Sequence, residues 1–176
     1  MAPDPSPDFV TILRVLLEHE VHFIVVGGVC GVLHGAPIAT FDLDIVHSRT
    51  AENVGRLLAA LEALNGRYRG QGQRQLKPQQ SHLSSSGHQL LITDAGPPDL
   101  LGVIGGGLTY QDLLSRTTEM EVGSGAKVRV LNLDVLIGIK EELGQEKDKA
   151  VLPILRRTLE ESRKKSQSDC GSPGAT

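Results

Sequence analysis

The stretch from residue 21 to residue 46 limits the fold more than any other. VHFIVV, residues 21–26, is β-branched and aromatic, too short for a helix, and stopped by Gly27-Gly28, so it reads as a buried strand. FDLDIV, residues 41–46, alternates strictly, with Asp42 and Asp44 on one face and Leu43 and Ile45 on the other. A short helix from about Val29 to His34 is expected between them, ending before Gly35 and Pro37. A strand, a glycine turn, a helix and a second strand make an α/β plan.

The rest of the chain extends that plan. Ser6-Pro7-Asp8 supplies an N-cap, a proline at the first helical position and an acid in the first turn, and Phe9, Ile12, Leu13, Leu16 and Leu17 give the opening helix its apolar face. Thr50 caps a helix expected to reach Leu64, where Asn65-Gly66 ends it. Residues 67–88 are rich in Gln, Ser and Gly and read as a mobile polar loop or a ragged edge hairpin, in which Arg67, Arg69, Arg74 and Lys77 face no acid. QLLIT (89–93) and DLLGVI (99–104) bracket a turn as two strands. KVRVL (127–131) is a further strand, and Asn132 caps a helix leading to Gly144. A last helix, 146–163, carries Pro153, which is expected to kink or break it. The reading is one α/β (α+β) domain over residues 1–163, a small mixed sheet flanked by helices, with 164–176 as a disordered tail.

Composition excludes several function classes. A chain of 176 residues has the length of one ordinary domain, and 39% hydrophobic residues with 20 Gly exclude disorder of the whole. A net charge of -3 argues against a cationic nucleic-acid coat, and three Phe, two Tyr and no Trp make base-stacking platforms scarce. Cys30 and Cys170 support neither a disulfide framework nor a cysteine zinc site, and the histidines show no hydrolase metal spacing. The start MAPDPSPDF lacks a signal-peptide pattern, and the longest apolar run is 13 residues and contains His22. No membrane span and a cytoplasmic location are expected.

The chemistry resides in Gly27-Gly28 followed by Asp42-Leu43-Asp44, with a third acid available at Asp99. Carboxylates at i and i+2 on a strand point the same way about 7 Å apart, so their oxygens can converge on hard cations. Magnesium takes one or two carboxylates together with substrate phosphate oxygens, and paired ions sit about 4 Å apart in two-metal sites. A glycine pair between a buried strand and a helix lets a phosphate approach free backbone N–H groups. An anion cradle beside a metal-binding acid pair points to attack on an α-phosphate with pyrophosphate leaving. Asp94, which ends a strand, is the alternative third acid. The basic stretch from Arg67 to Lys77 could track an RNA backbone, although a solvated loop is the preferred reading.

VVGGVCGVLHGAPIATFDLDIV, residues 25–46, resembles the Gly-Gly, helix, His-Gly, Thr-x-Asp-x-Asp segment of the nucleotidyltransferase superfamily that includes DNA polymerase beta. Within it, the chain is similar to compact bacterial proteins of the AbiEii toxin type. GPPDLLGVI resembles the segment that bears the third acid, and VLNLDVLIGIKEELGQEKD resembles the helix and Lys-Asp region that follows the core. The resemblance implies a nucleotidyltransferase fold and transfer of a nucleoside monophosphate from an NTP to a hydroxyl. Asp42 and Asp44 would hold two magnesium ions, and Asp99 would join the ion that activates the hydroxyl and act as its base. Asp99 is preferred to Asp94 because it opens an apolar strand after a Gly-Pro turn, as in the family pattern. Gly27, Gly28 and Thr40 would lie on the nucleotide side with Lys140, Lys147 and Asp148, the two lysines being alternatively solvated helix charges. An RNA end, a protein or a small molecule would be the acceptor, and a toxin role would bring an antitoxin partner.

Two positions depart from the pattern. Ile38 and Gln145 stand where the family often carries Arg, and each guanidinium lost beside a triphosphate removes about 1.5–3 kcal/mol of charge-assisted contact. The second expectation is therefore a catalytically weakened nucleotide-binding or regulatory module of the same fold.

Overall fold

The computed structural model describes residues 6–169. Helix α1 spans Phe9–Glu18 and buries Ile12, Leu13 and Leu16, each such side chain contributing about 1.5–3 kcal/mol relative to exposure. Its N-cap is Asp8 rather than Ser6, with a carboxylate oxygen accepting from the Thr11 N–H at 3.0 Å. Strand β1, Phe23–Val26, is buried at every position. Helix α2, Gly27–Leu33, begins at the glycine pair itself, two residues before the expected start. Strand β2 is Leu43–His47, so Asp42 lies just ahead of the strand rather than within it.

Helix α3, Ala51–Ala63, is capped by Thr50 as expected. Its buried Asn53 bonds the His22 N–H and carbonyl at 2.7 and 3.0 Å and the Ser48 carbonyl at 2.7 Å. One amide thus ties the entry to β1 to the exit from β2 and supports the register that brings Val26 opposite Asp44. The polar segment 67–88 contains strand β3, Arg67–Tyr68, and helix α4, Gln80–Leu83. Strand β4, His88–Ile92, and strand β5, Pro98–Leu101, follow. Helix α5, Tyr110–Leu113, leads to β6, Thr117–Val122, and β7, Ala126–Leu131.

The seven strands form one mixed sheet in the order β3-β4-β5-β2-β1-β7-β6. β2 runs parallel to β5 and β1 parallel to β7, and the other pairs are antiparallel. Helix α6, Leu133–Leu143, ends at Gly144 in the left-handed conformation, φ 57°, where a glycine avoids the Cβ penalty. Beyond it the expected single helix divides into α7, Glu146–Lys149, and α8, Leu152–Asp169. Pro153 sits in the first turn of α8, where its missing N–H has no intrahelical partner to lose. α8 continues past the expected end at residue 163, so residues 164–169 are helical and only 170–176 of the expected tail lie outside the described residues. α1 and α3 pack together, and α6 contacts both α2 and α8. No described helix is long and apolar enough to cross a membrane.

Candidate active site

The strand register assembles the acids. Asp44 of β2 stands directly opposite Asp99 of the parallel neighbour β5, and directly opposed residues share a face of the sheet. Asp42, one residue ahead of β2, turns to the same place. One carboxylate oxygen from each of Asp42, Asp44 and Asp99 lies within 4.8 Å of the others. Asp94 is elsewhere. It is exposed, accepts from Asn65 Nδ2 at 3.2 Å and faces Arg67 at 3.7 Å.

The glycine pair has a packing role that the sequence did not reveal. Gly27 has φ 65°, and a Cβ there would overlap the Asp44 carboxylate. A Cβ on Gly28 would come within 2.6 Å of Thr40 Oγ1, the hydroxyl that donates to the Asp42 carbonyl at 3.0 Å. The missing side chains at the start of α2 are therefore filled by the segment that presents the acids. Ile38 packs against the same helix, its Cδ1 lying 3.0 Å from where a Gly31 Cβ would be, beside Leu155 of α8. This position serves an α2–α8 contact.

Electrostatics follow from crowding three carboxyls in a half-buried place. Burial, reinforced by the charges of Asp42 and Asp99, pushes the Asp44 carboxyl up to about 7, against the opposing pull of Lys140 and Lys147. Burial also raises Asp99, opposed by Arg69 and supported by Asp42. Lys140 Nζ donates to Asp148 Oδ1 at 2.5 Å, and Asp148 is 4% exposed. The two lysines expected on the nucleotide side thus have different partners: Lys140 is held by Asp148, while Lys147 lines the same cleft as Asp44 and Asp99.

This cleft measures about 370 Å³, and Gly27, Gln145 and Lys140 also border it. Leu90, Leu101, Ile104 and Ile139 supply its apolar wall, and His88 borders it from the start of β4. His88 and Leu90 reach the cleft because β4 is antiparallel to β5, with Leu90 opposite Asp99 and His88 opposite Leu101. Sequence reasoning missed both residues, although their i, i+2 spacing in β4 was a usable signal. It also missed Arg69, whose guanidinium donates to Asp99, and Arg67, which pairs with Asp94, so the basic stretch does meet acids.

Three carboxylates form an all-oxygen donor set, and the absent side chain of Gly27 leaves the Asp44 carboxylate the room it occupies. Both fit a hard divalent cation such as magnesium, and neither histidine nor thiolate is among the donors.

No protein-family model matches this chain, and none of the curated proteins compared with it matches. Solved structures do. A Thermotoga maritima protein assigned as a nucleotidyltransferase is 20% identical, with 87% of this chain and 91% of that chain covered and a TM-score of 0.55. The lincosamide antibiotic adenylyltransferase LnuA, with lincomycin bound, is 15% identical over 85% of this chain and 94% of its own, TM-score 0.58. ANT(2″)-Ia, in complex with adenylyl-2″-tobramycin, is 16% identical over 86% of this chain and 87% of its own, TM-score 0.57. A seven-stranded mixed sheet with helices around it, carrying three carboxylates on adjacent parallel strands and the turn before one of them, has the fold of solved nucleotidyltransferases.

Proposed function

We propose that the protein is a magnesium-dependent nucleotidyltransferase that moves a nucleoside monophosphate from an NTP to the hydroxyl of a small molecule. The convergence of Asp42, Asp44 and Asp99 beside a cleft bordered by Lys140 and Lys147 carries this reading. In it, Asp42 and Asp44 would hold two ions, and Asp99 would join them in holding the ion that activates the acceptor hydroxyl. When bound, the ions neutralise phosphate charge and lower the pKa of the attacking hydroxyl. The chain's own residues do the rest.

Gly27, Gly28, Thr40 and Lys147 belong on the triphosphate side, where an ammonium favours polyphosphate. Lys140 and Asp148 hold the α6–α7 corner that carries Lys147. Asp99 accepts the proton of the acceptor hydroxyl as its oxygen attacks the α-phosphorus and the bond to the bridging oxygen of pyrophosphate breaks.

The size of the cleft and its apolar wall favour a small acceptor over an RNA end or a protein. LnuA and ANT(2″)-Ia, whose structures contain an antibiotic or its adenylyl product, accord with that choice. The AbiEii-like toxin reading, with a macromolecular acceptor and an antitoxin, is the narrower branch of the same chemistry. The deciding experiment offers α-labelled NTPs and magnesium with lincosamides, aminoglycosides, total RNA and candidate proteins in separate reactions. Label on a small molecule, lost in Asp42→Asn and Asp44→Asn while both variants stay folded, is the expected result. NTP-dependent thermal stabilisation without label transfer to any acceptor would instead support the weakened nucleotide-binding module.

A further inference from the structure

We infer that Arg69 is a positioning residue that stands in for the acceptor-side cation on Asp99 until that ion arrives. The inference rests on the metal site of the proposed function. Of the three converging acids, Asp99 is the one with an ion-pair partner among the described residues, and that partner is Arg69 Nη2. The Asp99 side chain is 10% exposed and the Arg69 side chain 33%, so the carboxylate is enclosed while the guanidinium has a route to solvent.

The local backbone suits a side chain that swings from a fixed base. The Arg69 N–H donates to the Leu90 carbonyl at 3.1 Å, and the Tyr68 N–H donates to the Leu76 carbonyl at 2.8 Å. These bonds anchor Arg69 to the sheet edge and close the loop of residues 70–75 above it. Gly70 and Gly72 in that loop have φ 73° and 58°. An open hollow of about 550 Å³ beside the loop is bordered by Arg69, Gly70, Gln73 and Arg74, which leaves the released guanidinium room to withdraw. Arg67, two positions earlier, pairs with Asp94 instead.

A guanidinium donor and a divalent cation compete for the same carboxylate lone pairs. Loading is then ordered. The Asp42–Asp44 side takes the first ion, and the ion on Asp99 enters only as Arg69 leaves. In the metal-free protein Arg69 also keeps the Asp99 carboxylate in place on β5, so the site does not collapse when empty of substrate.

Manganese alone is the probe, with free ion followed by electron paramagnetic resonance in titrations of the full chain. Arg69→Ala is expected to tighten the second manganese about tenfold, the low end for removing a charged hydrogen bond because the guanidinium is partly exposed. The first manganese changes by less than about twofold. Arg69→Gln, which keeps a polar side chain and loses the charge, gives the same direction and serves if Arg69→Ala fails to fold by circular dichroism. Arg67→Ala is the control and leaves both constants unchanged.

A second constant within about twofold of wild type, or equal tightening of both ions, overturns the inference while the metal site stands. Failure of wild type and variants alike to bind manganese, with or without a non-hydrolysable NTP, overturns the proposed function and this inference together.

Discussion

Replacing Asp44 by Asn should stabilise the metal-free protein, with the size of the gain set by pH. In the folded chain the carboxyl titrates at about 7 against an ordinary 3.8. The folded state therefore keeps a proton that the unfolded chain has released between about pH 4 and pH 7, and stability falls as pH rises through that window. A displacement of about three units corresponds to about 4 kcal/mol at about 1.4 kcal/mol per unit. Solvent access to a half-buried group reduces this to about 2 kcal/mol. At roughly 2–4 °C per kcal/mol for a chain of this size, Asp44→Asn in chelator at about pH 8 should melt about 4–8 °C above wild type. The two should converge near pH 4, where Asp44 is protonated in the folded state. Magnesium or manganese should raise the wild-type midpoint and leave the variant unmoved. Melts followed by circular dichroism across pH 4–8, with and without metal, measure all of this. A variant that melts at or below wild type at pH 8 without metal would refute the view that burial, reinforced by the neighbouring carboxylates, disfavours the ionised form of Asp44.

Three further outcomes follow from the same geometry. Gly27→Ala should destabilise by at least about 1–2 kcal/mol, from its left-handed φ alone, and should weaken manganese binding because the new methyl displaces the Asp44 carboxylate; urea melts and metal titration read the two effects separately. Lys140→Ala should destabilise by about 3 kcal/mol by leaving the Asp148 carboxylate buried and unpaired, and adding Asp148→Asn to it should recover a good part of the loss. Asp99→Asn should abolish label transfer, whereas Asp94→Asn, at an exposed site paired with Arg67, should leave the rate within about twofold of wild type.

Sequence made some of these parts legible for simple reasons. The period of two in FDLDIV put Asp42 and Asp44 on one side, and the short apolar run ending at Gly27 marked β1 without reference to the rest of the chain. Thr50 and Gly144 announced a helix start and a helix end through capping chemistry that is local. Asp99 was preferred over Asp94 by resemblance, and the β2–β5 register sets it beside Asp44.

What escaped notice depends on distant partners. TTEMEV, the edge strand β6, has only Met120 and Val122 as apolar residues and owes its conformation to pairing with β7. The ion pairs of Arg67 and Arg69 join residues 27 and 30 positions apart, so charge patterning along the chain gave no hint of them. The helical state of residues 164–169 reflects propagation from an established α8, which adds one hydrogen bond for each residue fixed, whereas their polar composition taken alone suggested disorder. A glycine pair in a sequence reads as open space for phosphate, and nothing local shows that Asp44 and Thr40 fill the volume that side chains would occupy.

The pairing of β2 with β5 governs when the acids can meet. Between these parallel neighbours the chain makes α3, β3, α4 and β4, so closing the contact requires gathering a long excursion, an entropically slow event. Until that contact closes, Asp42 and Asp44 stand together without Asp99. The three carboxylates become neighbours only when β5 docks on β2, so the acid cluster is a product of long-range assembly and belongs to no local segment.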